Sequence, residues 1–376
     1  MSRWLRAALS LALVVTVYGV TRGQDAVLYT DRATKKEARY TGTIEDESPA
    51  GIKIKVKEGK ETVTRAVPTP DIVSVQYQTK DIDKLTFRAP FAKEERGLKA
   101  ATPKERTKLL TEALDGFTKL ESQLASQPQV RRYVQFKVAE LTAHLAQDDP
   151  TRADSAIKLL TDFKTAHPTS WQLFPALKTL ARLLEDTGRS DDARKAYEEL
   201  TDLPDAPADL KLESGVLVAR LLLRGGKYAD AQKRLEKLMT SLSRESPFAP
   251  FVRAYLVESQ MGQDNLGQAV QELTDVIRTT SDPRAKAVAY NLLGDFYRKK
   301  GDLESAFWQY LRTDAMYNED AEEQAKALFF LANLFDKVKK DPLRGKECLG
   351  RLQEQRFAGT AYQRQAAREA KPPESK

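Results

Sequence analysis

The sequence predicts a mainly α fold, an α-solenoid of stacked helical hairpins preceded by a small β-barrel domain. Three observations predict it. Alanines recur at Ala156, Ala193, Ala231, Ala269 and Ala306, at intervals of 37, 38, 38 and 37 residues. Gly188, Gly226 and Gly301 each stand five residues ahead of one of them. Between residues 26 and 78, apolar and polar residues alternate with the period of two that a half-buried strand requires.

Residues 1–23 have the three zones of an export signal. Arg3 and Arg6 open it, Ala7 to Val20 carry no charge, and Thr21 and Gly23 put small residues three and one positions before Gln24. The apolar run is shorter than the ~20 residues of a spanning helix. The expectation is a cleaved signal peptide and an exported product, periplasmic or otherwise in the cell envelope; retention as an anchor is the alternative. No later stretch is apolar enough to span a bilayer, so cleavage leaves no stable membrane span. The chain carries +7 overall, and losing Arg3, Arg6 and Arg22 leaves about +4. That is a weak field for so long a chain.

Residues 24–80 read as five short strands. Ile52, Ile54 and Val56 alternate with Lys53, Lys55 and Lys57, placing three branched side chains inward and three lysines outward. Val73, Val75 and Tyr77 alternate likewise with Ser74, Gln76 and Gln78. Tyr40 to Ile44 form another strand with a bend at Gly42, Glu58-Gly59 marks a tight hairpin, and Pro68 to Asp71 a short turn. This pattern resembles a small SH3-like or Sm-like barrel. Sm-like proteins often bind RNA, but ten basic against nine acidic residues between 24 and 80 is no phosphate-tracking surface. The lysines read as a solvated face that also protects a strand edge.

Residues 81–104 read as a connector of mixed charge with Pro90 and Pro103. Residues 105–363 carry the solenoid. An opening helix at 104–124 turns Leu114, Phe117 and Leu120 inward. Four residues after each periodic alanine stand Leu160, Tyr197, Leu235, Leu273 and Tyr310; three further on stand Phe163, Leu200, Leu238, Val276 and Thr313. Spacings of i, i+4 and i+7 share one helical face. A partner helix precedes each, carrying Leu180 and Leu184, Val218 and Leu222, or Leu293 and Tyr297, and the glycines relieve the left-handed turn between them. Residues 364–376, polar and ending near Pro372-Pro373, read as a disordered tail.

The clearest unit runs Leu293-Gly294-Asp295-Phe296-Tyr297, then Gly301, Ala306 and Tyr310. Here the sequence resembles the tetratricopeptide repeat, over about residues 130–315, with a weaker unit at 327–352 where Gly345 stands in place of alanine one residue late. His144 takes the small position of the first unit. The intervals exceed the ~34 residues of that repeat, so loops or helices are slightly longer. The resemblance implies five or six helix pairs. A signal peptide joined to such repeats is similar to bacterial envelope proteins, such as the Tol-Pal-associated coordinator and outer-membrane assembly subunits. The phrase Phe357 to Tyr362, followed by Ala366, is similar to the inter-repeat phrase of that group.

No residue pattern points to chemistry. Leu223-Arg224-Gly225-Gly226-Lys227 lacks the spaced glycines and the Ser/Thr of a phosphate loop, and no nucleophile elbow is present. One cysteine, Cys348, and two histidines, His144 and His167, do not make a zinc site. Cys348 reads as a buried thiol, with pairing between chains as the alternative; His167-Pro168 reads as a helix C-cap. Two carboxylates suffice for glycoside hydrolysis, but no spacing singles out a pair. The expectation is a non-enzymatic protein without cofactor, metal or nucleic acid; the oligomeric state stays open.

The resemblance implies a concave surface lined by the first helix of each pair, with groove positions at Lys178, Arg182, Arg220, Glu258, Asn291, Asp295, Arg298, Asn333 and Asp336. Two arginines towards one end and two aspartates towards the other would give a bound peptide or protein segment a direction. Ordinary solvated side chains are the competing account. The function so implied is a protein–protein interaction scaffold of the bacterial cell envelope. The alternative is an envelope polysaccharide-binding protein or hydrolase with a site between barrel and solenoid.

Overall fold

A computed structural model describes residues 24–80, 82–243 and 245–370. The expected signal peptide and the last six residues lie outside the described residues. Among the described residues no helix is long and apolar enough to cross a membrane. The chain divides into a β unit and a helical unit.

The β unit is one antiparallel sheet of β1 (Asp25–Thr30), β2 (Glu37–Ser48), β3 (Gly51–Glu58), β4 (Glu61–Pro68) and β5 (Ile72–Gln76), in the order β4-β3-β2-β1-β5. Alternation along β3 is complete: Ile52, Ile54 and Val56 are buried, and Lys53, Lys55 and Lys57 are exposed. The outward lysines meet acids of the neighbouring strand, Lys53 with Asp46 at 3.1 Å and Lys55 with Glu45 at 3.2 Å. Gly42 does more than bend β2. A Cβ there would lie 1.9 Å from the Lys55 carbonyl oxygen, so only glycine allows this backbone approach. Gly59 turns the β3–β4 hairpin at φ +64°.

Alternation fails at one expected place. Val75 and Tyr77 are buried, but Val73 is 46% exposed. The register explains it: Leu28 opposes Ser74 whereas Tyr29 opposes Ile72, so Val73 is the extra residue of a bulge and leaves the inner face.

The helical unit begins earlier than expected. The connector expected at 81–104 is instead helical over α1 (Lys84–Leu98). Asp83 caps it by accepting from the amides of Leu85 and Thr86. Its weak periodicity has a packing cause, because glycine and proline fill its contacts with α2 (Pro103–Gln123). A Cβ at Gly116 would come within 2.7 Å of the Pro90 ring, and one at Gly97 within 2.7 Å of Leu110. Phe91 of α1 meets Phe117 edge-on, with ring centroids 4.7 Å apart.

Six further hairpins follow: α3 (Pro128–Ala146) and α4 (Ala153–Ala166), α5 (Leu173–Asp186) and α6 (Ser190–Asp202), α7 (Ala208–Arg224) and α8 (Tyr228–Ser241), α9 (Ala249–Gly262) and α10 (Ala269–Thr279), α11 (Pro283–Lys299) and α12 (Leu303–Met316), α13 (Ala321–Lys339) and α14 (Pro342–Leu352). Each helix packs on the next, which makes a solenoid. Every periodic alanine is buried, Ala156, Ala193, Ala231 and Ala306 completely. Small side chains let the paired axes approach. At Gly345 even a methyl would lie 2.4 Å from the Ala332 carbonyl oxygen.

The turns repeat as regularly. Gly188, Gly226 and Gly301 hold φ of +78°, +70° and +79°. The amide after each bonds back to the preceding helix: Arg189 to Leu184, Lys227 to Leu222 and Asp302 to Tyr297, at 2.8–2.9 Å. Asp264 (φ +63°) and Lys340 (φ +55°) take the left-handed place in two further hairpins. His167 is the C-cap of α4. Cys348 is buried in α14, and burial pushes its thiol up to about 11. Residues 364–369, expected in a disordered tail, are helical within α15 (Ala361–Glu369), so the helix bearing Cys348 is not the last.

Candidate functional site

The first helices of successive hairpins, α5, α7, α9, α11 and α13, present one face towards a common space. Each contributes a charged side chain there: Glu185, Arg224, Glu258, Asp295 and Lys326 in turn. The segment after α14 crosses this space. Phe357, 1% exposed, anchors the crossing within the apolar cluster of α12 to α14. Gly359 then turns at φ +81°, where a Cβ would lie 3.2 Å from the Asp186 carbonyl oxygen. Gln355 donates its side-chain amide to the carbonyl of Gln147 at 3.1 Å, and Arg364 donates to the carbonyl of Asp186 at 2.9 Å. Residues about 200 positions apart in sequence therefore meet across the helical unit.

α15 is seated mainly by polar groups. Thr360 accepts from the Gln363 amide and caps the helix. The Ala361 amide points its N–H at both oxygens of Glu322, at 3.1 and 3.2 Å, a carboxylate at the positive end of a helix. Tyr362 packs between Phe329 and Phe330, with centroids 5.5 and 5.8 Å away. Ala366 is the buried apolar residue of α15.

Beneath α15 lies a network that joins distant hairpins. Arg220 pairs with Glu185 at 2.6 Å; Arg224 pairs with Glu185 at 2.8 Å and with Glu322 at 3.0 Å. Burial pushes the Glu185 carboxyl up, but the two guanidiniums outweigh it and hold it below the ordinary range. Further along, Asp295 accepts from the Tyr310 hydroxyl at 2.7 Å and pairs with Lys326 at 2.6 Å. Asp295 and nearby acids hold the Lys326 ammonium well above its usual range, against the burial that would lower it. Glu258 has neighbours of both signs. Burial pushes it up to about 7, with Lys326 opposing and Asp295 and Glu323 adding to the rise.

A cavity of about 720 Å³ remains between α15 and the first helices. Glu185, Arg224, Glu258, Asp295, Arg298 and Lys326 are among its walls, and Tyr362, Arg364, Gln365 and Arg368 of α15 form another. A second void of about 40 Å³ lies among Arg220, Tyr255, Glu323 and their neighbours.

The nine expected groove positions divide by place. Glu258, Asp295 and Arg298 line the large cavity and Arg220 the small one. Arg298 also lies over the Phe330 ring, 4.6 Å from its centroid. Asn291 is fully buried and donates to the backbone and side chain of Glu323, so its amide ties α11 to α13. Lys178 pairs with Glu213 on the next hairpin at 2.7 Å. Arg182 is 71% exposed and 4.0 Å from Asp186. Asn333 and Asp336 are exposed on α13 and are not among the cavity walls. The expected charge polarity is largely offset, because Arg220 and Asp295 each have an internal partner.

Sequence reasoning missed Arg224, Glu322, Lys326, Tyr362 and Arg364. For the first a signal existed: Arg224 stands one helical turn beyond Arg220 on the same face.

A family model of the tetratricopeptide repeat matches residues 287–307, which hold the Leu293–Ala306 unit. No curated protein matches the sequence. Among solved structures, the chain is similar to a tetratricopeptide repeat protein from Parabacteroides merdae, with 12% identity, a TM-score of 0.51, and coverage of 75% of this chain and 99% of that one. It is also similar to the C-terminal part of a repeat-containing protein from Cytophaga hutchinsonii, with 15% identity, a TM-score of 0.41, and coverage of 76% and 100%. The helical unit is a TPR-like solenoid, a fold that generally serves protein–protein interaction without catalysis.

Proposed function

We propose that the protein is a non-enzymatic interaction scaffold of the bacterial cell envelope that holds a protein segment on the concave face of its solenoid. One observation supports this reading above the others: first helices of the hairpins already hold a segment of polypeptide, α15, through backbone amide, aromatic and guanidinium contacts. Curved surfaces of stacked hairpins suit such segments. The leader pattern at residues 1–23 supports export. Glu258, Asp295 and Arg298, expected groove residues that line the cavity, are the side chains proposed to meet the ligand.

The test is in-cell photo-crosslinking from position 298, with Asp162 of α4, exposed and outside the cavity, as the control. The expected result is a recurrent protein adduct from position 298, absent from position 162, in the envelope fraction. Identical adducts from both positions, or a chain found in the cytosol with its leader intact, would overturn the reading.

A further inference from the structure

We infer that the concave face is a receptor for a short helix, not an extended strand, and that α15 is its resident occupant, which a partner helix of the same chemistry displaces. This rests on the scaffold reading and adds the kind of partner. The seat makes three separate demands, and α15 meets each. The Glu322 carboxylate takes the first amide of the helix, Ala361, so the occupant enters by its N-terminus. The Phe329 and Phe330 rings take an aromatic at the second helical position, Tyr362. The Asp186 carbonyl takes an arginine at the fourth, Arg364. Tyr362 and Arg364 reach different helices, α13 and α5, whereas a strand carries its second and fourth side chains on one face.

Three features make the occupant exchangeable. α15 is 9 residues long and buries Ala366, whereas α14 buries Gly345, Cys348 and Leu352. Local segments with few buried apolar contacts open most readily. The hinge is built in: Phe357 stays anchored while Gly359, in the left-handed region, precedes the helix. The fit is also incomplete, since about 720 Å³ stays open along the inner side of α15, and a longer or bulkier helix can use that space.

The probe is a fluorescent peptide of residues 358–370, read by anisotropy against the full chain. The wild-type seat is occupied, so the peptide should bind it weakly. A chain carrying Tyr362→Ala and Arg364→Ala should bind at least tenfold more tightly, and adding Phe330→Ala should remove that gain. Equal binding to wild type and double variant, or none to a double variant of wild-type circular dichroism, would overturn the inference. Hydrogen exchange on the wild type is the second measurement. Amides of 361–369 should exchange at least tenfold faster than those of 342–352, and equal protection would overturn exchangeability even if the double variant fails to fold. Peptide binding without a position-298 adduct would sink the scaffold reading alone; an adduct without peptide binding would sink the helix specificity alone.

Discussion

Arg224 on α7 holds its guanidinium 3.0 Å from the Glu322 carboxylate on α13, past the two hairpins that lie between them in sequence. Its other side meets Glu185 on α5. One side chain thus ties three hairpins, and its loss leaves two mostly buried carboxylates short of a partner. Arg224→Ala is expected to cost about 2 kcal/mol, because stranding partly buried charges costs more than losing a surface pair. Thermal unfolding of the variant checks it, and a change below about 0.5 kcal/mol would show the bridge to be ornamental.

Ala231 is fully buried where α8 meets its neighbours. Ala231→Leu is expected to destabilise by about 1–3 kcal/mol through overpacking. Ala229, exposed two residues earlier, is the control, and Ala229→Leu should stay within about 0.5 kcal/mol. Urea denaturation of the pair separates a hairpin contact from a general effect of leucine.

Lys340 takes the left-handed turn that glycine takes at Gly188, Gly226 and Gly301. Lys340→Gly should therefore stabilise the α13–α14 hairpin by about 0.5–1 kcal/mol, since a Cβ is disfavoured at that φ. Gly301→Ala should cost a similar amount. Hydrogen exchange at the two turns reads both signs, and opposite outcomes would show that the turns are held by other contacts.

Glu258 supplies a pH dependence of definite sign. Its folded pKa, about 7, lies above the ordinary value of 4.5, so the folded chain binds the extra proton. That contribution to stability is fully present below about 4.5 and is lost as pH rises through about 7. Glu258→Gln should remove this part of the profile, gaining on wild type as pH rises from 5 to 8. Melting temperatures of both chains across that range check it; a constant difference would show that Glu258 does not titrate there.

The fold was readable where one residue type had to recur. Buried alanines recur in five hairpins and left-handed glycines in three of them, so Ala156 to Ala306 and Gly188 to Gly301 showed the solenoid directly. α1 was not readable as a helix, because Pro90 and Gly97 are there for contacts with α2, which local periodicity does not record. α15 escaped for a related reason: Tyr362 and Arg364 are satisfied by groups far away in sequence, at Phe329, Phe330 and Asp186. The site was half legible. Alignment to a repeat places side chains on a face, as with Glu258 and Arg298, but does not say which are spoken for, and so Asn291 looked available although it is an internal tie.

The clasp between Gln355 and Gln147 sets this solenoid apart from an open array. Open arrays can lengthen or shorten by whole units, because each unit needs only its neighbours. Here the closing strap must arrive beside the α3–α4 hairpin and the end of α5 together. One unit more or fewer would carry it to the wrong address, so the number of repeats is as much a fixed dimension of this molecule as the size of its core.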